Sequence, residues 1–304
     1  MTPNGDGDRA HLARATLLIM GSAACFSTLA IFVSLALRAG APLLTILSGR
    51  FVFGAAALSI LAGRRAFRAS PDLRRALVVR AGFLQAAVVF TSGFSLKWLP
   101  AATLVFLFYT YPGWVTLIAA LTGRERVTMR RALALMLSLA GVTVMVGAPG
   151  PNAVHPGGAA FALASALIFA IYLLYTDRLQ VSIPPVVTSF WIAIGAGLWF
   201  LVTAALSREL TVAVAPQVWL HMLGLGLIGT ALGYGLFFAG LRQLGPVRTA
   251  IISTVEPFWS SLFGWLILAQ HVTLATAIGG ACIATAVILL QLPTRKRQLK
   301  PAAT

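Results

Sequence analysis

Two stretches of the chain repeat each other at a constant offset of 145, and both lie inside apolar runs. Leu96, Leu99, Pro112, Trp114, Leu117, Leu121, Val127 and Thr128 reappear as Leu241, Leu244, Pro257, Trp259, Leu262, Leu266, Val272 and Thr273, and Lys97 is matched by Arg242. A second register, at offset 143, pairs Ser22 with Ser165, Phe26 with Phe169, Pro42 with Pro185 and Gly54 with Gly197. The chain reads as a duplicated unit whose second copy carries two extra residues between these blocks. Duplication of this kind fixes the architecture into which every other motif has to be placed.

Hydrophobic residues fill 59% of the 304 positions and charged residues 10%, against about a quarter charged in soluble domains. Such a chain lacks the polar residues to clothe a water-facing surface, so its solvent is the bilayer. A spanning helix needs roughly 20 mostly apolar residues, and ten runs qualify: residues 15–37, 43–62, 76–96, 100–121, 132–148, 157–176, 185–206, 218–241, 249–268 and 272–291. Arg80 interrupts the entrance to the third, and the charge-free part of the fifth is short. The expected fold is an all-α integral membrane protein with ten transmembrane helices. They divide into two inverted five-helix repeats, residues 15–148 and 157–291, joined by a Gly- and Pro-rich linker at 149–156. Five crossings per repeat turn the second copy upside down relative to the first. Many secondary transporters use that arrangement to expose one central site to either side in turn.

The formal net charge of +16 raises nucleic acid as a partner, but the distribution of the charge excludes it. With a cytoplasmic N-terminus, 19 cationic residues fall on the inside, and three, Arg38, Lys97 and Arg208, fall on the outside. This is the positive-inside pattern, which also places the C-terminus in the cytoplasm. The basic tail of Arg295, Lys296, Arg297 and Lys300 suits anionic lipid and an ordinary stop signal equally.

Tyr109-Thr110-Tyr111-Pro112 followed by Gly123-Arg124-Glu125-Arg126-Val127-Thr128, with the counterpart Glu256-Pro257 followed by Gln270-His271-Val272-Thr273, resembles the two EamA repeats of the drug/metabolite transporter superfamily. Pro42 and Arg50 fit the proline and arginine usual in that family's second helix. Gln270-His271 departs from its usual Glu followed by a basic residue. The resemblance covers residues 15 to 291 and implies a multi-pass permease of the bacterial inner membrane, carrying small metabolites without hydrolysing ATP. It names no substrate, because function resides in the site rather than in the fold.

Two ionisable side chains lie well inside the expected spans, Arg50 and Glu256. A central charge costs about 2.5–3.5 kcal/mol on insertion scales and has to face protein or water. At 1.5 Å per residue, Arg50 sits about 10 Å below the outer face and Glu256 about 10 Å above the inner one, so their heights in a core of about 30 Å differ by about 10 Å. Two readings are open. In one, the pair forms a contact that locks helices; in the other, Arg50 receives an anionic group of a substrate and Glu256 takes a proton or an amine. Pro112 and Pro257 each remove a backbone donor and free the carbonyl four residues earlier, at Phe108 and Ser253, so kinks that gate a pathway are expected there. Helical spacing places Tyr111, Trp114 and Ile118 on one face, and Glu256, Trp259 and Phe263 on the equivalent face of the other repeat. These faces line a cavity or pack as core.

Among the remaining polar and aromatic residues within spans, Trp191 and Tyr234 join the substrate-contact candidates. Ser22, Ser27, Thr28, Gln85, Thr91 and Tyr172 are weaker ones, since intramembrane hydroxyls commonly bond to their own helix. No phosphate-binding loop, paired carboxylates or metal-ligand spacing is present, so neither an enzyme nor a bound cofactor or metal is expected. The chain reads as a secondary transporter for a small amphipathic or zwitterionic metabolite, with amino acids and related compounds leading, and protons as a candidate coupling ion. The alternatives are a lipid or amphiphile flippase and a non-transporting structural subunit. Whether it acts as a monomer or a homodimer is open.

Overall fold

The computed structural model describes residues 5–99, 101–125, 128–147, 155–268 and 274–291. Most of the linker expected at 149–156 lies outside these residues, as do Val127, Gln270, His271, Val272 and Thr273. Among the described residues the regular structure is all helical. The principal helices are α1 (Gly5–Arg38), α2 (Leu43–Ala62), α3 (Pro71–Ser95), α4 (Ala101–Phe108), α5 (Tyr111–Leu121), α6 (Met129–Val146), α7 (Pro156–Leu179), α8 (Pro185–Leu206), α9 (Pro216–Leu244), α10 (Pro246–Ser253), α11 (Glu256–Leu268) and α12 (Leu274–Gln291).

Local chemistry sets many of these limits. Proline opens α7, α8, α9 and α10, where its missing N–H would have had no helical partner. The Thr128 hydroxyl accepts from the Arg131 N–H at the start of α6, and Gly147 ends that helix at φ +83°, a conformation that other residues adopt only with strain. Two helices carry an internal wide turn: α3 is π-helical over Ala76–Ala81 and α9 over Leu225–Leu232.

Among the described residues seven stretches are long and apolar enough to cross a membrane: Ala10–Arg38, Leu43–Arg68, Pro71–Ser95, Thr103–Leu121, Pro156–Ser182, Pro185–Leu206 and Pro216–Leu244. The molecule is thus an integral membrane protein, all helical among the described residues. The fifth, ninth and tenth expected spans fall short of that measure among the described residues. Helix α6 has 18 residues and two arginines in its first turn, the ninth run is split between α10 and α11, and α12 is described over 18 residues.

Packing relates the first half to the second through mirrored pairs. Helix α1 lies along α9, and α7 along α3; α2 lies against α9, and α8 against α3; α1 touches α10 and α11, and α7 touches α4 and α5. Helices α2 and α8 pack on each other, as do α6 and α12. The correspondence extends to single bonds. Ser22 Oγ donates to the Gly233 carbonyl at 3.0 Å, and Ser165 Oγ donates to the Val88 carbonyl at 3.0 Å. Ser22 and Ser165 are related by the offset of 143, and Val88 and Gly233 by the offset of 145. The main core lies between these helices and includes Phe51, Phe200 and Phe238, each fully buried.

Candidate functional site

Two interrupted helices meet inside the bundle. Helix α4 ends at Phe108 and α5 begins at Tyr111; α10 ends at Ser253 and α11 begins at Glu256. Each interruption carries a threonine whose hydroxyl donates to the carbonyl three residues earlier, Thr110 to Leu107 and Thr254 to Ile251, both at 2.7 Å. Pro112 and Pro257, buried in the first turns that follow, cannot extend the preceding ladder because they lack the N–H. The Tyr111 hydroxyl donates to the Ala250 carbonyl at 3.3 Å and so ties one break to the other.

Beside these breaks lies a cavity of about 200 Å³. Arg50 of α2 and Glu256 of α11 both line it, together with Gln85 of α3, Tyr172 of α7 and Tyr234 of α9. Its apolar wall is largely aromatic: Phe26, Phe108, Phe169, Phe237 and Phe238. Phe26 and Phe169 are partners at the offset of 143, so the same position of each copy faces the cavity.

Arg50 is 6% exposed. Its Nε donates to Thr230 Oγ1 at 3.0 Å, and its guanidinium carbon lies 4.9 Å from the Phe51 ring centroid. The two terminal nitrogens have no hydrogen-bond partner among the described residues. Thr230 belongs to the wide turn of α9, so the second half holds one edge of the fork and leaves the other edge free. Glu256 is half-buried in the first turn of α11, where the helix dipole favours a carboxylate, and the Tyr109 side chain stands within reach of it. Neither Arg50 nor Glu256 forms an ion pair within 4.0 Å among the described residues. The Tyr234 hydroxyl is buried without a hydrogen-bond partner among them.

The structure therefore brings Arg50, Tyr234 and Glu256 to one cavity, with Gln85 and Tyr172 from the weaker candidates, while Tyr111, Trp114, Trp191, Trp259 and Phe263 are not on its wall. Tyr111 packs edge-on to Phe169, with ring centroids 4.8 Å apart, one layer behind the lining. Trp114 is half-buried against the main core. Trp259 stacks on Phe263 at 5.9 Å, and its indole nitrogen is buried without a partner among the described residues. Trp191 is held from two sides. Its indole N–H donates to the Ala66 carbonyl at 3.0 Å, and Arg74 lies over its ring, so it fastens α8 to the short helical turn after α2. The phenylalanine wall was missed, because aromatic residues at helical spacing serve a protein core equally well; the repeat pairing of Phe26 with Phe169 was the available signal.

A model of the EamA-like transporter family matches residues 13–147 and again 156–292. A curated protein of Archaeoglobus fulgidus, called an uncharacterized transporter, is 30% identical over 183 residues, which are 60% of this chain and 64% of that protein. The uncharacterized inner membrane transporter YicL of Salmonella typhimurium is 32% identical over 202 residues, 65% of this chain and 66% of its own. Protein PecM of Dickeya dadantii is 24% identical over 208 residues, covering 67% and 70%. The chain thus spans just under two thirds of the length of the first two relatives. A chain known from a crystal structure superimposes with a TM-score of 0.77 over 91% of this chain and 96% of that one, at 21% identity, a likeness of fold.

Proposed function

Because the chain belongs to the EamA-like transporter family, we propose that it is a secondary transporter carrying a small amphipathic or zwitterionic metabolite, such as an amino acid or a related compound, through the central cavity by alternating access. One observation carries this reading. Arg50 and Glu256 face the same aromatic-walled cavity without pairing among the described residues, so a ligand of about that volume bearing both signs of charge finds a partner for each. The free edge of the Arg50 guanidinium suits a carboxylate, and Glu256 suits an amine or a proton, which makes protons the coupling ion of the proposal.

The movement proposed follows from inverted repeats at residues 15–148 and 157–291, each crossing the inner membrane five times, with both termini in the cytoplasm. The mirrored helix pairs and the equivalent Ser22 and Ser165 bonds support this arrangement, since exchanging the conformations of two such halves moves the opening from one side to the other. The helix breaks before Pro112 and Pro257 supply hinges at equivalent places. Flux of a mixed amino acid panel into and out of proteoliposomes containing the purified protein is the test. Saturable, countertransport-competent flux of at least one zwitterion is expected, and a complete panel without flux in either direction overturns the proposal.

A further inference from the structure

On the outer wall of the bundle, two adjoining hollows of about 360 and 340 Å³ run between α3, α7 and α8 and share Val79 and Trp199. Close contact of α3 with α8 shapes them. Gly195 lies so near the Val78 carbonyl that a Cβ on it would stand 2.1 Å from the oxygen, and beyond that contact Trp199 and Phe83 lie with ring centroids 5.1 Å apart. The hollows are apolar except at one end, where Arg80 lines the wall. Arg80 is exposed and makes no hydrogen bond or ion pair among the described residues. It stands about 6 Å inside an apolar run that starts at Ala76, at 1.5 Å per residue. A charge at that depth needs a counter-ion or water. The sequence leading into this end carries Arg64, Arg65, Arg68, Arg74 and Arg75 against the single acid Asp72.

We propose that this groove is a binding site for an anionic phospholipid, with an acyl chain along Phe83 and Trp199 and the phosphate at Arg80. The hollow is open on the outer wall of the bundle, and its lining is apolar apart from Arg80, which suits a hydrocarbon chain better than a polar solute. The unpartnered Arg80 at one end supplies donors for a phosphate, and its charge favours a headgroup of net negative charge over a zwitterionic one.

The test uses the full chain in nanodiscs containing brominated phosphatidylglycerol or, separately, brominated phosphatidylcholine. The Trp199 emission is taken as the difference between the wild type and Trp199→Phe. Brominated phosphatidylglycerol is expected to quench it at about fivefold lower mole fraction than the phosphatidylcholine, the preference that one arginine near an anionic surface supplies. Arg80→Gln should reduce the ratio to one, and Arg80→Lys should retain most of it. Equal quenching by the two lipids in the wild type, no quenching of Trp199 by either, or a preference that survives Arg80→Gln overturns the proposal. The wild-type comparison decides the matter even where a variant at position 80 fails to insert.

Discussion

Arg50 and Glu256 face one cavity, yet among the described residues they form no ion pair: the guanidinium donates to Thr230, and the Tyr109 side chain stands within reach of the carboxylate. Opposite charges inside an apolar bundle lower their desolvation cost by meeting. Holding them apart keeps both available to a third group, and it weighs against the reading in which the pair merely locks helices.

Arg50→Lys preserves the charge and removes both the planar fork and the geometry of the Nε bond to Thr230. Normal insertion is expected, with KM raised about tenfold, the equivalent of one charge-assisted hydrogen bond of roughly 1.5 kcal/mol. Flux measured at matched protein density checks it, and an unchanged KM would return Arg50 to a structural role.

Glu256→Gln keeps the shape of the side chain and removes its ionisation. The variant should insert and remain monodisperse while its flux no longer responds to an imposed pH gradient. Wild-type rates with wild-type pH dependence in sealed vesicles would end the proton-coupling proposal.

Tyr234→Phe separates binding from folding. Because the hydroxyl bonds to nothing among the described residues, its loss should leave thermal stability within about 0.5 kcal/mol of the wild type while raising KM. A fall in the melting temperature with KM unchanged would assign the hydroxyl to the scaffold.

Trp191→Phe should behave in the opposite way. It forfeits the bond to the Ala66 carbonyl, for an expected loss of about 1 kcal/mol of stability, and leaves KM where it was. A raised KM at unchanged stability would put the indole back among the substrate contacts.

Orientation is tested by single cysteines at Asn152 and Thr304. An impermeant maleimide added to intact spheroplasts should label the first and leave the second untouched. Labelling of both from one side contradicts five crossings per repeat.

The sequence exposed some parts of this arrangement more readily than others, for physical reasons. Arg50 and Glu256 stood out because hydrocarbon penalises charge so heavily that each had to have a polar surrounding. The limits of α2 and α8 coincide with the apolar runs 43–62 and 185–206, where Pro42 and Pro185 and the following turns mark them. The wide turns in α3 and α9 left no comparable trace, since an extra residue per turn can be absorbed by glycine-lined packing without altering hydropathy. The place of Trp191 was less legible, because an intramembrane indole needs an acceptor, and sequence alone does not distinguish a ligand from the end of a neighbouring helical turn. Phe108 and Phe238 were silent for a related reason: a phenylalanine carries no polar demand that would show which surface it faces.

The equivalent bonds of Ser22 and Ser165 have an energetic corollary. If the two copies trade shapes, such bonds trade places and their contributions cancel, so the scaffold alone gives the inward and outward states similar energies. Arg50 and Glu256 do not cancel: the positions related to them by the offsets of 143 and 145 are Ala193 and Tyr111. In the proposed alternating-access cycle, the side on which the empty protein rests is therefore biased by the lining of the cavity itself, and occupancy of that cavity by a ligand alters the same bias.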